Sequence, residues 1–325
     1  MSLATLLALS LALHLYIGAR IVPQLPWSAG LALALFLLAS ALLVPLSLLA
    51  RRLLRPGAAD RLTWAGMLCM GLFSSLLVLA VMRDLMLLVL DLANFDSPQL
   101  GENTAAAVPL LALALSLIGL INARRTAPVV RVTVPIAGLP GPLQGFRIVQ
   151  ISDIHVGPTI KRDYLDAIVQ RVNALEPDVV AITGDLVDGS VRDLAPHVAP
   201  LAQLRARHGS FFVTGNHEYY SGVHGWLEEL GRLGVRVLHN EHVVLQHDGA
   251  AIVLAGVPDY SGHHFDPAHR SDPEAALRGA PPAAPRVLLA HQPRTAPAAA
   301  AAGFDLQLSG HTHGGQFLPW TFFVP

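Results

Sequence analysis

The chain has 325 residues and a formal net charge of −1 at pH 7, with 53% hydrophobic and 14% charged residues. The balanced charge gives no reason to expect nucleic-acid binding, and the single cysteine excludes a disulfide framework within one chain. Soluble domains usually contain about 25% charged residues. The composition therefore predicts a large apolar region, which the sequence places in its first 122 residues.

Four apolar segments in that region are each long enough to cross a bilayer, which requires about 20 helical residues. They lie near residues 3–21, 29–50, 62–82 and 104–122. A signal peptide is the alternative interpretation of the first segment. However, this segment has no basic start, and a second apolar segment follows it closely. We therefore predict a transmembrane region over residues 1–125.

Basic residues are concentrated in two of the intervening stretches, which predicts the orientation in the membrane. They are Arg51, Arg52, Arg55 and Arg61 after the second segment, and Arg124, Arg125 and Arg131 after the fourth. Cytoplasmic loops carry an excess of Lys and Arg. We therefore predict a multi-pass protein of the cell inner membrane with a cytoplasmic C-terminal domain. Arg20 is the one charge that disagrees with this orientation.

Two neighbouring charges, Arg83 and Asp84, follow the third apolar segment and allow two interpretations. They form a functional pair inside the membrane, where ionisable groups are costly, or they mark the end of the span. We favour the second interpretation, with residues 85–92 as an interfacial extension.

The remaining sequence alternates between β-type and helical patterns. Residues 126–145 are rich in Pro and Gly and are predicted to be a linker, with a strand over 129–134, before a domain over 146–325. Strands are predicted over 147–151, 179–183, 211–214, 243–246, 251–255, 286–290 and 306–308, and helices over 164–175, 191–207 and 223–233. This alternation predicts a layered domain of mixed α/β or α+β class.

Five short segments of this domain follow β-type runs and carry groups that bind metals. In chain order they are D-I-H at 153–155, G-D-L-V-D at 184–188, G-N-H-E at 215–218, His291, and G-H-T-H at 310–313. Side chains at the ends of neighbouring strands converge on one crevice of an α/β sheet. Carboxylates, an amide oxygen and imidazoles in one crevice suit two divalent metals. Each segment alone is typical of a helix cap or a turn. All five in one domain are explained more simply by a metal site.

In this order the segments resemble the calcineurin-like metallophosphoesterase family, over roughly residues 145–315. The residues that flank these motifs resemble those of its membrane-associated bacterial branch, in which the domain follows transmembrane helices. The resemblance implies an α-β-β-α arrangement and two divalent metals drawn from Mn, Fe, Zn, Mg and Co. It implies that Asp153, His155 and His313 bind the first metal, that Asn216, His291 and His311 bind the second, and that Asp185 bridges both.

The resemblance also implies that His217 faces the leaving-group oxygen, so that His217, Asp185 and Asn216 are the predicted catalytic residues. A hydroxide held between the metals would be the nucleophile. Asp188 and Glu218 are expected to support the site. The histidines of the loop at 260–269 either contact substrate or lie on a plain surface loop, and His239, His242 and His247 are expected to face solvent.

The chain ends at Pro325, whereas members of the family usually continue through several more strands. Residues 320–324 would then begin an unfinished strand, so that the chain is a C-terminally truncated fragment or its sheet edge is covered in another way.

These features predict a membrane-anchored, metal-dependent phosphoesterase that hydrolyses phosphate mono- or diesters, with lipid-linked substrates favoured. Two alternatives stay open. One is a pyrophosphatase that acts on a nucleotide–lipid. The other is a membrane sensor or transporter whose phosphoesterase-like domain only binds a ligand.

Overall fold

The computed structural model describes residues 2–95 and 97–315, and the predicted strand at 320–324 lies outside them. The chain contains two compact units, residues 1–126 and residues 127–325. The boundaries of the predicted linker at 126–145 stay a prediction.

The regular secondary structure described in the first unit is entirely helical. Its helices are α1 (Leu3–Ile21), α2 (Trp27–Leu48), α3 (Ala50–Leu53), α4 (Pro56–Leu92) and α5 (Pro98–Arg124). Within the described residues, α1, α2, α4 and α5 are long and apolar enough to cross a membrane, as predicted. Many of their large side chains point away from the unit; Leu35, Leu38 and Leu110 are each about 60% exposed or more. Apolar surface on the outside of a helical unit is what a bilayer accommodates.

The charged pair in α4 belongs to a polar network between helices. Arg83 is 4% exposed and donates to Thr104 Oγ1 at 3.0 Å and Gln24 Oε1 at 2.5 Å. Asp84 accepts from Arg20 Nε at 2.7 Å. Since α4 continues to Leu92, this pair does not end the helix. Each charge has partners on neighbouring helices, as buried ionisable groups require.

The second unit contains short strands that alternate with helices. Its strands are β1 (Ile148–Ile151), β2 (Val179–Ile182), β3 (Ser210–Phe212), β4 (Arg236–Val237), β5 (Glu241–His247), β6 (Ala250–Gly256), β7 (Arg286–Leu289) and β8 (Leu306–Leu308). Its helices are α6 (Arg162–Asn173), α7 (Val191–Val198), α8 (Asn216–Tyr220), α9 (Val223–Arg232), α10 (Pro273–Ala276) and α11 (Ala296–Ala302). In the described chain these strands form two four-stranded sheets, β1-β2-β3-β4 and β5-β6-β7-β8.

Strand alternation places one set of side chains between the sheets and the other against helices. Val179 and Phe211 face the core that the first sheet shares with Leu254 and Leu289 of the second. Their neighbours on the same strands point to the opposite face, because successive side chains alternate, and pack against α6, α7 and α9. A smaller cluster covers the outer face of the second sheet with α10 and α11. The predicted α-β-β-α layering is confirmed.

The structure corrects several local predictions. The described chain carries no strand at residues 129–134, although the sequence there is β-branched, because a strand needs a pairing partner as well as propensity. The helix predicted over 191–207 ends at Val198 and gives way to a 3₁₀ turn containing Pro200. His247 is 7% exposed rather than solvent-facing, since its ring packs 5.0 Å from that of Phe146.

Candidate metal centre

The five predicted segments each follow a strand or stand at its carboxyl end. Asp153 and His155 follow β1, and Asp185 follows β2. Asn216 is the first residue of α8 after β3, and His291 follows β7. The segment with His311 and His313 follows β8. These strands run parallel within their sheets, so the segments emerge at the same edge.

Five of the seven candidate ligands have left-handed backbone conformations. They are Asp153 (φ 54°), His155 (φ 52°), Asp185 (φ 51°), His311 (φ 74°) and His313 (φ 49°). A non-glycine residue held in this region costs on the order of 1–3 kcal/mol, and such strain clusters at functional sites. The local backbone is therefore shaped to direct these side chains.

One group of candidate ligands combines Asp153, His155 and His313, whose ligand atoms all lie within 4.8 Å of one another. The Nε2 atoms of His155 and His313 are 3.2 Å apart, and His313 Nε2 lies 3.3 Å from Asp153 Oδ1. Ligands bonded at about 2.0–2.2 Å to one ion have roughly this spacing. These three residues are the set that the sequence assigns to the first metal.

A second group combines Asp185, His291 and His311. Asp185 Oδ2 lies 3.2 Å from His291 Nε2, and His291 Nε2 lies 3.2 Å from His311 Nδ1. His291 is 1% exposed, and its Nδ1 contacts Thr183 O at 2.7 Å, which fixes the orientation of the ring. A ligand histidine usually has its other nitrogen held in this way.

Asn216 presents a buried amide oxygen to this region. Among the described residues, its Oδ1 has no hydrogen-bond partner. An unsatisfied buried acceptor costs about 1–3 kcal/mol unless another group binds it. Asn216 lines the same cavity as His311, so a cation bound there would satisfy the amide oxygen.

Asp185 lies between the two groups. It is 2% exposed, and its Oδ2 is 3.9 Å from His155 Nε2 as well as 3.2 Å from His291 Nε2. Its Oδ1 accepts a hydrogen bond from the backbone N–H of His217 at 2.9 Å. A carboxylate with this position suits the bridging role that the resemblance implies.

The electrostatics favour ionised carboxylates. Burial acts to raise the pKa of Asp153, but hydrogen bonds from His313 and Ser152 outweigh it and hold the pKa at about 2. Burial likewise acts against the charged form of His291, yet its contact with Asp185 raises the pKa to about 9. The carboxylates thus remain negative near neutral pH, which favours cations in the centre.

His217 also forms a candidate group with His155 and Asp185, and its side chain is held by Asp188. Its Nδ1 lies 2.5 Å from Asp188 Oδ1, which also lies 3.2 Å from His155 Nδ1. The hydrogen bond with Asp188 raises the pKa of His217 despite the opposing effect of burial. Nε2 of His217 lies 3.9 Å from Asp185 Oδ2 and is the nitrogen nearer the centre.

Glu218 joins two of the motif loops. It is fully buried, and its carboxylate accepts hydrogen bonds from the backbone N–H groups of Asp185, Leu186, Val187 and Gly215 at 2.7–3.3 Å. Burial and the nearby charge of Asp185 raise the pKa of Glu218 to about 7, while these hydrogen bonds favour the charged form. Glu218 thus supports the backbone of the centre rather than offering a ligand.

The donor set fits a pair of divalent metals. Asp185 belongs to the second group and lies 3.9 Å from His155 of the first, and the orphaned oxygen of Asn216 lines the same cavity as His311. Mixed carboxylate, amide and imidazole ligands suit Zn, Mn, Fe, Mg or Co to different degrees.

Sequence reasoning missed the polar network that forms one wall of the adjoining cavity of about 410 Å³. Asp259 is fully buried and accepts from Gln292 Nε2 at 2.9 Å and from Ser261 N at 2.9 Å. Gln292 and Ser261 line the cavity, as does Arg294, whose guanidinium lies 5.0 Å from the centre of the Tyr260 ring. The loop at 260–269 therefore reaches the cavity, and its contact with substrate stays a prediction.

Residues 146–315 match the family model for the calcineurin-like phosphoesterase. The chain belongs to this family. The resemblance predicted from the motifs is thereby confirmed, and the matched segment contains all of the candidate ligands.

Curated relatives are named as metallophosphoesterases, and one of them also as a transmembrane protein. A transmembrane protein with metallophosphoesterase domain from Bos taurus is 46% identical over 232 residues, 68% of this chain and 52% of the relative. An uncharacterized metallophosphoesterase from Helicobacter pylori is 40% identical over 182 residues, 55% of this chain and 47% of the relative. The chain thus spans about half the length of these relatives.

One solved structure is also similar. It is the crystal structure of a phosphopantetheinyl hydrolase from Mycobacterium tuberculosis, at a TM-score of 0.34 and 14% identity, covering 51% of this chain and 83% of that chain. The family assignment depends on the family model, which matches residues 146–315.

Proposed function

We propose that this chain is a membrane-anchored, dinuclear-metal phosphoesterase that hydrolyses phosphate mono- or diesters. The observation that carries the proposal is the convergence of Asp153, His155 and His313 in one group and of Asp185, His291 and His311 in another, with Asp185 3.9 Å from His155. The orphaned oxygen of Asn216 supports the same assignment.

The seven candidate ligands would hold the two metals as the sequence predicts, with Asp185 shared between them. Divalent metals in such a site neutralise phosphoryl oxygens and lower the pKa of water. The chain itself contributes pre-oriented ligands, because the left-handed backbone fixes their direction before substrate arrives.

His217 acts as the general acid in this proposal. Asp188 holds Nδ1, so Nε2 is the nitrogen left to donate a proton to the leaving-group oxygen. The side chain of His217 is 36% exposed, which leaves it within reach of a bound ester. A hydrogen-bonded carboxylate that raises the pKa of an imidazole keeps more of it protonated near neutral pH.

A metal-dependent turnover assay on the full chain in detergent tests the proposal. Metal-stripped protein should hydrolyse bis-p-nitrophenyl phosphate only after Mn²⁺ is restored. Asp185→Asn should remain inactive, whereas Asp248→Asn should behave as wild type. Asp248 is a matched control because it has the same left-handed backbone (φ 49°) but lies in the β5–β6 turn. Metal binding without turnover would instead support a ligand-binding sensor.

We further propose a lipid-linked substrate at the cytoplasmic face of the inner membrane. The apolar helices tether the second unit to a bilayer, and tethering raises the effective concentration of lipid-anchored substrates. The basic residues after α2 and after α5 support the cytoplasmic orientation.

Two measurements test the orientation and the lipid preference separately from the hydrolysis reaction. Reporter fusions after residue 125 should be active only in the cytoplasm; a reporter active only outside would overturn the orientation. In vesicles, a phospholipid or nucleotide–lipid should be cleaved faster than its soluble analogue. Equal rates would remove the lipid preference, and release of a nucleotide monophosphate would identify the pyrophosphatase alternative.

A further inference from the structure

A separate group of potential metal-binding side chains lies outside the candidate metal centre. It consists of His224 in the first turn of α9 with Asp266 and His269 from the loop between β6 and α10. We call these three residues the outer cluster. One ligand atom from each lies within 4.8 Å of the other two.

The spacing of the outer cluster is close to that of ligands around one ion. Asp266 Oδ2 lies 3.5 Å from His224 Nε2 and 3.8 Å from His269 Nε2. In a tetrahedral zinc site with bonds of about 2.0–2.1 Å, neighbouring ligand atoms are about 3.3–3.5 Å apart. The ligand nitrogens of His224 and His269 lie within 4.8 Å of each other, so an approach of these two side chains would close the site.

The other polar atoms of two of these side chains already have partners. Asp266 Oδ1 accepts from the backbone N–H of Ala268 at 2.9 Å, which leaves Oδ2 facing the imidazoles. His269 is 7% exposed, and its Nδ1 lies 2.8 Å from the Tyr219 hydroxyl, which leaves Nε2 facing Asp266. A histidine held through its second nitrogen is the usual arrangement for a metal ligand.

Ion pairing alone accounts less well for this arrangement. Asp266 is the one carboxylate of the cluster, and it faces the imidazoles of both His224 and His269. His239 lies close, with its ring centre 4.2 Å from that of His269. A single carboxylate can balance the charge of only one imidazolium, whereas neutral imidazoles offer lone pairs to a cation.

We propose that the outer cluster binds a Zn²⁺ ion through His224 Nε2, Asp266 Oδ2 and His269 Nε2, with solvent as the fourth ligand. Two imidazoles and one carboxylate are a donor set typical of zinc. The ion would fasten α9 to the loop that carries Tyr260 and Ser261. Since Ser261 lines the cavity of the candidate metal centre, the ion would stabilise one wall of that cavity.

Zinc binding by the full chain in detergent tests the proposal. Metal-stripped wild type, His224→Ala and Asp266→Asn are dialysed against Zn²⁺ and measured by elemental analysis. The His224 side chain is 70% exposed, so its loss costs little packing, and Asn at 266 can still accept from Ala268 N–H. His264→Ala is the matched control, because this exposed imidazole lies in the same loop outside the cluster.

Wild type and His264→Ala should bind one zinc equivalent more than His224→Ala and Asp266→Asn. Equal zinc in all four proteins would overturn the proposal. Turnover of an aryl phosphodiester identifies the origin of the lost ion. The two cluster variants should retain most of their turnover. Loss of one zinc equivalent together with all turnover would assign that ion to the candidate metal centre and contradict the proposal.

Discussion

The candidate metal centre and the outer cluster use the same side-chain types but support them differently. In the centre, ligands such as Asp185 and His311 stand on left-handed backbone shortly after the ends of strands. In the outer cluster, His224 stands in the first turn of a helix, Asp266 caps a short 3₁₀ helix that His269 ends, and none of the three has a positive φ. The centre is therefore directed by its backbone, whereas the outer cluster is directed by side-chain hydrogen bonds.

This difference should make the candidate metal centre less tolerant of substitution than the outer cluster. Glycines surround the centre at close range: a Cβ on Gly215 would overlap Asp185 Oδ1, and one on Gly310 would overlap Ser152 Oγ and Asp153 Oδ2. The centre should lose function when either a ligand or its backbone changes. The outer cluster should lose only its own ion.

The largest effect is expected at the shared carboxylate. Asp185→Asn should reduce both metal content and turnover to background, because its carboxylate lies 3.2 Å from His291 and 3.9 Å from His155 and is proposed to bridge both metals. Asp188→Asn should retain its metals and lose about 10–100-fold in turnover, the usual effect of removing a group that orients others. Elemental analysis and phosphodiester turnover measure both quantities. Equal losses in the two variants would contradict the assigned roles.

The next largest effect is expected at His217. His217→Ala should keep its metals and lose about 10²–10⁴-fold in turnover, the typical contribution of general acid–base catalysis. The loss should be smaller for nitrophenol esters, because a good leaving group needs little protonation. Loss of a metal ion in this variant would make His217 a ligand and would remove its role as the acid.

A backbone change tests the contrast between the two regions. Gly310→Ala should displace Asp153 and weaken metal binding about 10–100-fold, the effect expected when the support of a ligand is removed. Gly231→Ala is the control, since a Cβ there meets no described atom within 4 Å. Unchanged metal affinity in Gly310→Ala, measured by competition with a chelator, would show that the centre tolerates backbone movement.

The smallest effect is expected at the cavity wall. Arg294→Ala should lower kcat/KM for phosphodiesters about 10-fold, since charge-assisted hydrogen bonds contribute about 1.5–3 kcal/mol. Arg294→Lys should recover part of this loss because it retains the charge. Arg278→Ala, at another exposed arginine, is the control. If both alanine variants match wild type in steady-state kinetics, Arg294 does not contact substrate.

The candidate centre was predictable because its segments are local in sequence and follow recognisable strands. Polar residues such as Asp153 and Asp185, each after an apolar run, indicate a strand end directly. The short elements α8, β4 and α10 were missed, since elements of two to five residues carry too little periodicity to detect. The third motif therefore opens a helix that the sequence pattern did not reveal.

The outer cluster could not be predicted for a different reason. His224 and Asp266 come from distant segments without a spacing motif, and only tertiary packing brings them together. The same holds for buried Asp259, whose partner Gln292 follows a different strand. His247 was expected at the surface because it precedes a turn, but its strand folds it against Phe146.

Anomalous scattering from crystals of the full chain grown with Mn²⁺ tests the central assignment most directly. Two peaks about 3.5–4 Å apart are expected, as in two-metal phosphoryl-transfer sites. One peak should lie beside Asp153, His155 and His313 and the other beside Asn216, His291 and His311, with Asp185 between them. A single peak, or two peaks that do not share Asp185, would contradict the dinuclear centre.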